Sequence, residues 1–270
     1  MELILNDFGK KGSQLRCLLF AGLGKEKIQE QLLKIINQKN KDKIDVCFPE
    51  NEDFIYYPQG LQNQTEIQLD KVKIPIKGST AYCDVINQWW LAISRKTPTW
   101  DFVCTANIDG RQGLILIEAK AHKGELVKEL DPSHAKDGSL NRSKIEQALD
   151  SINIQYGYKL SADDYYQLSN RIAWSMKLAS EGIPVILIYL GCLNTVDMSI
   201  TKNDYLFDTT NKWVDLVRDY SQNIDFSDWE KTISAEKMKD NEDSTKAENF
   251  YPIIRSLDIQ LVDGVVIIKD

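Results

Sequence analysis

The chain has 270 residues, of which 43% are hydrophobic and 27% charged, and 40 acids outweigh 33 Lys and Arg to leave a net charge of −7. This length allows one large domain with a substantial core, while the acidic balance leaves little long-range steering of nucleic acid. The five cysteines stand singly without a Cys-x-x-Cys, which argues against a zinc cluster and a disulfide framework.

The first residues, Met-Glu-Leu-Ile-Leu-Asn-Asp, show no basic stretch leading into an apolar run. The longest apolar run, 185–193, is too short to span a bilayer. A cytoplasmic chain with no membrane association is expected.

Taken in order, residues 13–38 predict helix, interrupted at Gly24 and followed by an apolar stripe of Ile28, Leu32, Ile35 and Ile36. Ala21-Gly22-Leu23-Gly24-Lys25 lacks the spacing of a phosphate-binding loop and reads as a turn between helices. A polar, lysine-rich connection covers 37–45. Short strands follow over 44–76, with 54–57 and 67–76 as candidates interrupted by Pro58 and Gly60. Ser79 or Thr80 can cap a helix over 81–95 whose Val85, Trp89, Ala92 and Ile93 share one face.

Residues 98–122 carry the strongest local pattern. Two strand-forming runs, 102–108 and 114–121, flank Asp109-Gly110, a hairpin turn signal. Leu114 to Ile117 are apolar on both faces, as in a strand buried within a sheet. Alternation puts Glu118, Lys120 and His122 on one face and Ile117, Ala119 and Ala121 on the other. Antiparallel pairing brings Asp101, at the start of the first strand, close to Glu118, near the end of the second. Buried charges of this kind are costly unless paired or bound to metal. Two carboxylates and a lysine in one pocket are the parts of a divalent-metal phosphodiester site. Cys104 and His122, on paired strands, also admit a nucleophile dyad, although a buried cysteine is the usual case.

Beyond the hairpin, 123–140 reads as a loop containing Pro132, His134 and Gly138, either closing over a substrate or a plain insertion. A helix over 141–154 turns Ile145, Leu149 and Ile152 inward. Ser161, followed by Asp163 and Asp164, predicts the start of a helix over 163–180. Its core stripe is Tyr165, Leu168, Ile172, Met176 and Ala179, beside a polar strip of Gln167, Asn170, Arg171 and Trp174. That strip either faces solvent or borders the site. Gly182 and Pro184 end the helix before an apolar strand over 185–190. Trp213, Val214, Leu216 and Val217 mark another helix. Residues 225–249 are expected to be solvated and mobile. Strand signals at 253–254, 257–262 and 265–268, with a second Asp-Gly turn at Asp263-Gly264, close the chain.

Asp101, a gap of sixteen residues, and then Glu118-x-Lys120 on an apolar strand resemble the PD-(D/E)XK (restriction-endonuclease-like) nuclease superfamily. The departure is at the proline, Pro98, which stands three positions before the acid. The resemblance implies an α/β fold with an αβββαβ core and a mixed central sheet flanked by helices. That core would span 80–192, with an N-terminal extension over 1–79 and a C-terminal extension over 193–270. The resemblance also implies hydrolysis of nucleic-acid phosphodiester bonds, DNA before RNA, with Mg²⁺ or Mn²⁺. Asp101, Glu118 and the carbonyl of Ala119 would ligate metal, and Lys120 would orient the attacking water or stabilise charge on the phosphate. His122 would assist with a proton or a phosphate contact, and Asp84 is available as an additional acid or as a helix cap. Gln167, Asn170 and Arg171 would bind substrate. A homodimer is compatible with this reading, and so is a silent binding or scaffold protein that keeps the fold without turnover.

Overall fold

The computed structural model describes residues 9–38, 44–50, 53–61, 63–64, 67–70, 85–91, 97–127, 140–198, 205–235 and 248–269. Its centre is an eight-stranded mixed sheet. β1 (Val46–Cys47), β5 (Phe102–Ile108), β6 (Arg111–Lys120), β7 (Val185–Cys192), β9 (Asn249–Val262) and β10 (Val265–Lys269) lie side by side in that order. β2 (Tyr56–Tyr57) also pairs with β5, and β8 (Ile233–Ser234) also pairs with β9. A separate pair, β3 (Ile67–Gln68) and β4 (Thr99–Trp100), leads into β5. β5 and β6 are antiparallel, β6–β7 and β7–β9 parallel, and β9–β10 antiparallel.

Helices cover both faces because the central strands are apolar on both. Leu114 and Leu116 of β6 join one core with α3 (Val85–Leu91), α5 (Leu140–Tyr156), α6 (Tyr166–Ser180) and α7 (Thr210–Gln222). Ile115, Ile117 and Ala119 join the other with α1 (Gly12–Ala21) and α2 (Lys25–Asn37). Parallel neighbours need a crossover, and α6 supplies the one from β6 to β7. Gly182 ends α6 at a φ of 86°, and Pro184 leads directly into β7. Among the described residues, no helix is long and apolar enough to cross a membrane.

Several expectations need correction in detail. The helix expected over 81–95 is π-wound where it is described, so Val85 and Trp90, five residues apart, both turn inward. Asp84 lies outside the described residues. Ser161 does not cap α6: its Oγ accepts the N–H groups of Asp163 at 3.0 Å and Asp164 at 3.1 Å, making a separate turn. The chain then changes direction at Tyr165, which is left-handed at φ 55°, and the helix starts at Tyr166. The loop expected from Lys123 begins instead as a short helix, α4 (Lys123–Val127), and 128–139 lie outside the described residues. In the stretch expected to be solvated, Phe226, Trp229 and Ala235 are buried against the core, and 236–247 lie outside the described residues. β9 pairs with β7 over eight residues, so the C-terminal segment completes the central sheet rather than decorating it.

Candidate functional site

The ladder between β5 and β6 places Phe102 opposite Ile117. One step beyond it, Asp101 stands across from Glu118. Asp101 occupies a bend between β4 and β5, and its Oδ2 accepts the N–H of Ala119 at 2.8 Å. The carboxylate thus occupies a β6 backbone donor where regular pairing stops. Among the described residues its other oxygen has no hydrogen-bond partner. Asp101 is half-buried and borders a small pocket lined by Gln14, Cys17, Leu18, Pro58 and Gln64.

Glu118 and Lys120 are almost fully buried, at 3% and 5% exposed. Two residues apart on a strand, their side chains stand ~6.6 Å from each other along one face. Residues four apart on a helix repeat at ~6 Å, which lets Gln167 and Arg171 of α6 meet both. Lys120 Nζ donates to Glu118 Oε1 at 2.6 Å and to Gln167 Oε1 at 2.8 Å. Arg171 Nε donates to Glu118 Oε2 at 2.6 Å, and its Nη2 reaches the carbonyl of Thr99 at 2.5 Å. The guanidinium also lies over the Trp100 ring, 4.5 Å from its centroid. Two acids and two cations therefore share one buried corner of the sheet, and their formal charges cancel.

The two acids are pushed apart in acidity. Burial raises Asp101, and the negative charge of Glu118 raises it further, to about 7, against the opposing pull of Lys120, the Ala119 N–H and Arg171. Burial also works against an ionised Glu118, but Arg171 and Lys120 outweigh it and hold that carboxyl below its ordinary value. Near neutral pH, Glu118 is the fixed anion and Asp101 is the carboxyl that can exchange a proton.

The remaining candidates are placed differently. β6 ends at Lys120, and His122 forms an isolated bridge with Leu206. The imidazole Nδ1 of His122 accepts the Gly124 N–H at 3.1 Å, and Nε2 lies 3.9 Å from Glu125 Oε1. Asn170 is buried and donates to the Tyr166 hydroxyl at 3.0 Å. Cys104 is buried toward α1 and α2, where burial raises its thiol well above the ordinary value, so it makes no dyad with His122. Among the described residues, no three His, Cys, Asp or Glu side chains gather as a ready cation cage. Asp101, with an uncommitted oxygen and a neighbouring carboxylate that repels it, is the position a divalent cation would relieve. Ligation by Glu118 as well would require exchange of a Lys120 or Arg171 hydrogen bond.

Trp100 and the α1 residues beside Asp101 escaped the sequence reading. Trp100 was next to the acid in sequence, but only the bend at Asp101 puts it beneath Arg171. Arg16, fully buried in α1 and ion-paired with Asp197, was also missed. Its signal was a lone charge inside the run Leu15–Ala21. Comparison with family models, curated proteins and solved structures gave no match for the chain.

Proposed function

We propose that this protein hydrolyses nucleic-acid phosphodiester bonds, DNA before RNA, using Mg²⁺ or Mn²⁺ on a restriction-endonuclease-like core. The observation that carries this reading is the cross-strand pair Asp101 and Glu118, met by Lys120 from the same strand and by Gln167 and Arg171 from the crossover helix. The succession of α3, β5, β6, α6 and β7 in chain order supports it. Asp101, Glu118 and the Ala119 carbonyl would hold the metal, which when bound supplies charge neutralisation at the phosphate and a more acidic water. Without metal, Asp101 can take up a proton near neutral pH at its uncommitted oxygen, the same oxygen a bound metal would occupy, so the two compete. Lys120, fixed between Glu118 and Gln167, holds positive charge within the buried part of the cluster. Arg171 fixes Glu118 and, stacked on Trp100, excludes water from the inner side of the cluster.

A second reading, a silent nuclease-fold binding protein, is favoured by one specific observation: both oxygens of Glu118 are already held by cations. Cleavage assays on single- and double-stranded DNA and on RNA, with and without Mg²⁺ or Mn²⁺, separate the two. The nuclease reading expects metal-dependent cleavage that Asp101→Asn and Lys120→Met each reduce at least a hundredfold. Absence of cleavage, together with no metal-induced rise in melting temperature, sinks it and leaves the silent reading.

A further inference from the structure

Glu118 meets its two cations, Lys120 and Arg171, on the α6 side of the sheet. Asp101 borders a small pocket on the other side, against α1. Gln14, Cys17 and Leu18, spaced by three and four residues along α1, form one wall of it, and Pro58 and Gln64 form another. Its volume is about 10 Å³, room for one water or one small ion. Cys17 is 4% exposed and is a free thiol with no hydrogen-bond partner among the described residues. Gln64 gives its amide nitrogen to the carbonyl of Leu61 at 3.1 Å, which leaves the amide oxygen for another contact. Two uncommitted groups from different elements, the outer oxygen of Asp101 and the buried sulfur of Cys17, therefore border one ion-sized space. None of the residues lining it is a cation.

We propose that this pocket is the seat of a thiophilic divalent ion, Mn²⁺, Co²⁺ or Zn²⁺ ahead of Mg²⁺, ligated by the Asp101 carboxylate and the Cys17 sulfur. The amides of Gln14 and Gln64 are the neutral oxygen donors at hand. As the ion binds, the S–H bond of Cys17 breaks, its proton passes to solvent and a sulfur–metal bond takes its place. Mg²⁺ takes oxygen ligands, whereas borderline first-row ions also accept sulfur, so the α1 wall sets the choice of metal. The surroundings suit a cation. Burial first, and then the negative charge of Asp101, hold the thiol well above its ordinary value, and a positive ion relieves both groups at once. Glu118 keeps Lys120 and Arg171, because Cys17 supplies the second strong ligand without breaking either ion pair. The inference rests on the reading that Asp101 holds a metal and not on cleavage.

Absorption titration with Co²⁺ tests it, in a Cys47→Ser/Cys83→Ser background that removes two other thiols. One Co²⁺ per chain should bind and give the sulfur-to-cobalt charge-transfer band in the near ultraviolet. Zn²⁺ at equal concentration should remove the band, and about a hundredfold excess of Mg²⁺ should leave it. Cys17→Ser and Asp101→Asn should each abolish the band and weaken Co²⁺ binding at least tenfold by calorimetry. Melting curves show whether each variant is folded, and Cys17→Ala serves where a buried serine is not tolerated. A folded wild type without the band overturns the proposal, as does a band that survives loss of Cys17 or displacement of Co²⁺ by an equal concentration of Mg²⁺. Mg²⁺-dependent cleavage without a cobalt band would leave the nuclease reading standing and sink this one. A Cys17-dependent band without cleavage of any nucleic acid would do the reverse.

Discussion

The hairpins β5–β6 and β9–β10 turn on the same dipeptide in almost the same conformation. Asp109 and Gly110 have φ of 51° and 74°, and Asp263 and Gly264 have φ of 49° and 75°. This is the left-handed pair that a tight two-residue hairpin requires, and Asp-Gly adopts it with little strain. Beyond the turns the hairpins diverge. β5 and β6 lie inside the sheet, with layers on both faces, and end in a cluster of four opposed charges, three of them buried and Asp101 half-buried. β10 closes the sheet, keeps one face open and carries one charge, Lys269, which makes no ion pair among the described residues. The turn chemistry makes the hairpin in both cases. The neighbouring strands decide whether its charges cost desolvation or remain in water, and so which hairpin can hold shifted acids and which can offer a surface.

The sharpest way to break this contrast is to remove the central charge of the buried hairpin. Glu118→Ala leaves Lys120 and Arg171 buried without their shared counter-charge, and the expected loss is about 3–5 kcal/mol. Lys269→Ala on β10 should stay within about 0.5 kcal/mol. Urea denaturation of both variants measures the difference, and a loss below about 1 kcal/mol for Glu118→Ala would mean that the cluster is wetter than its burial implies.

Packing gives the next effect. A Cβ on Gly113 of β6 would stand 2.2 Å from the Pro184 carbonyl oxygen and 2.8 Å from its ring. Backbone cannot yield as a side chain does, so Gly113→Ala should cost about 1–3 kcal/mol by thermal melting. An unchanged melting temperature would show that β6 and the start of β7 are free to separate.

The pH dependence should differ between the two acids of the cluster. Asp101 is raised in the folded protein, so its favourable contribution is complete below the ordinary carboxylate range near ~4 and is lost as pH rises through about 7. Glu118 is lowered, so its contribution is present above that range and is lost only on further acidification. With chelator present, Asp101→Asn should therefore gain in melting temperature over the wild type as pH rises from 5 to 8.5. Above pH 7, added Mg²⁺ should raise the wild type and leave Asp101→Asn unmoved. Parallel melting curves across that range would remove the case for a protonatable Asp101.

Much of this arrangement was legible in the sequence because its signals are local. Asp-Gly between strand-forming runs gave both hairpins, two-sided apolarity gave the buried β6 and β7, and period-two alternation put Glu118 and Lys120 on one face. Gln167 and Arg171 were legible as a strip on α6, but not their role, since the strip meets the strand only through the crossover. Arg171 was read as a phosphate contact and is occupied with Glu118, Thr99 and Trp100. His122 was placed on the strand face by carrying alternation two residues past Lys120, where β6 ends and His122 bridges Leu206 instead. The β9 strand was divided from the core in the reading because β7 and β9 are joined by more than fifty residues, and parallel pairing at that distance leaves no local pattern.

The smallest effects test whether the two turns are truly equivalent. Gly110→Ala and Gly264→Ala each force a side chain into the left-handed region, and neither loss depends on the layers around the sheet. Each should cost about 1 kcal/mol, and the two values should agree. The preceding aspartates should not behave alike. Asp109 accepts hydrogen bonds from the Tyr251 hydroxyl and from Asn249 Nδ2, the latter at 2.9 Å, tying the inner turn to β9. Asp263 has no such tie among the described residues. Asp109→Ala should therefore exceed Asp263→Ala by about 1 kcal/mol in denaturant titration, and Tyr251→Phe should remove most of that excess. If Asp109→Ala and Asp263→Ala cost the same, the anchoring of the inner turn contributes nothing and the hairpins differ only in what covers their strands.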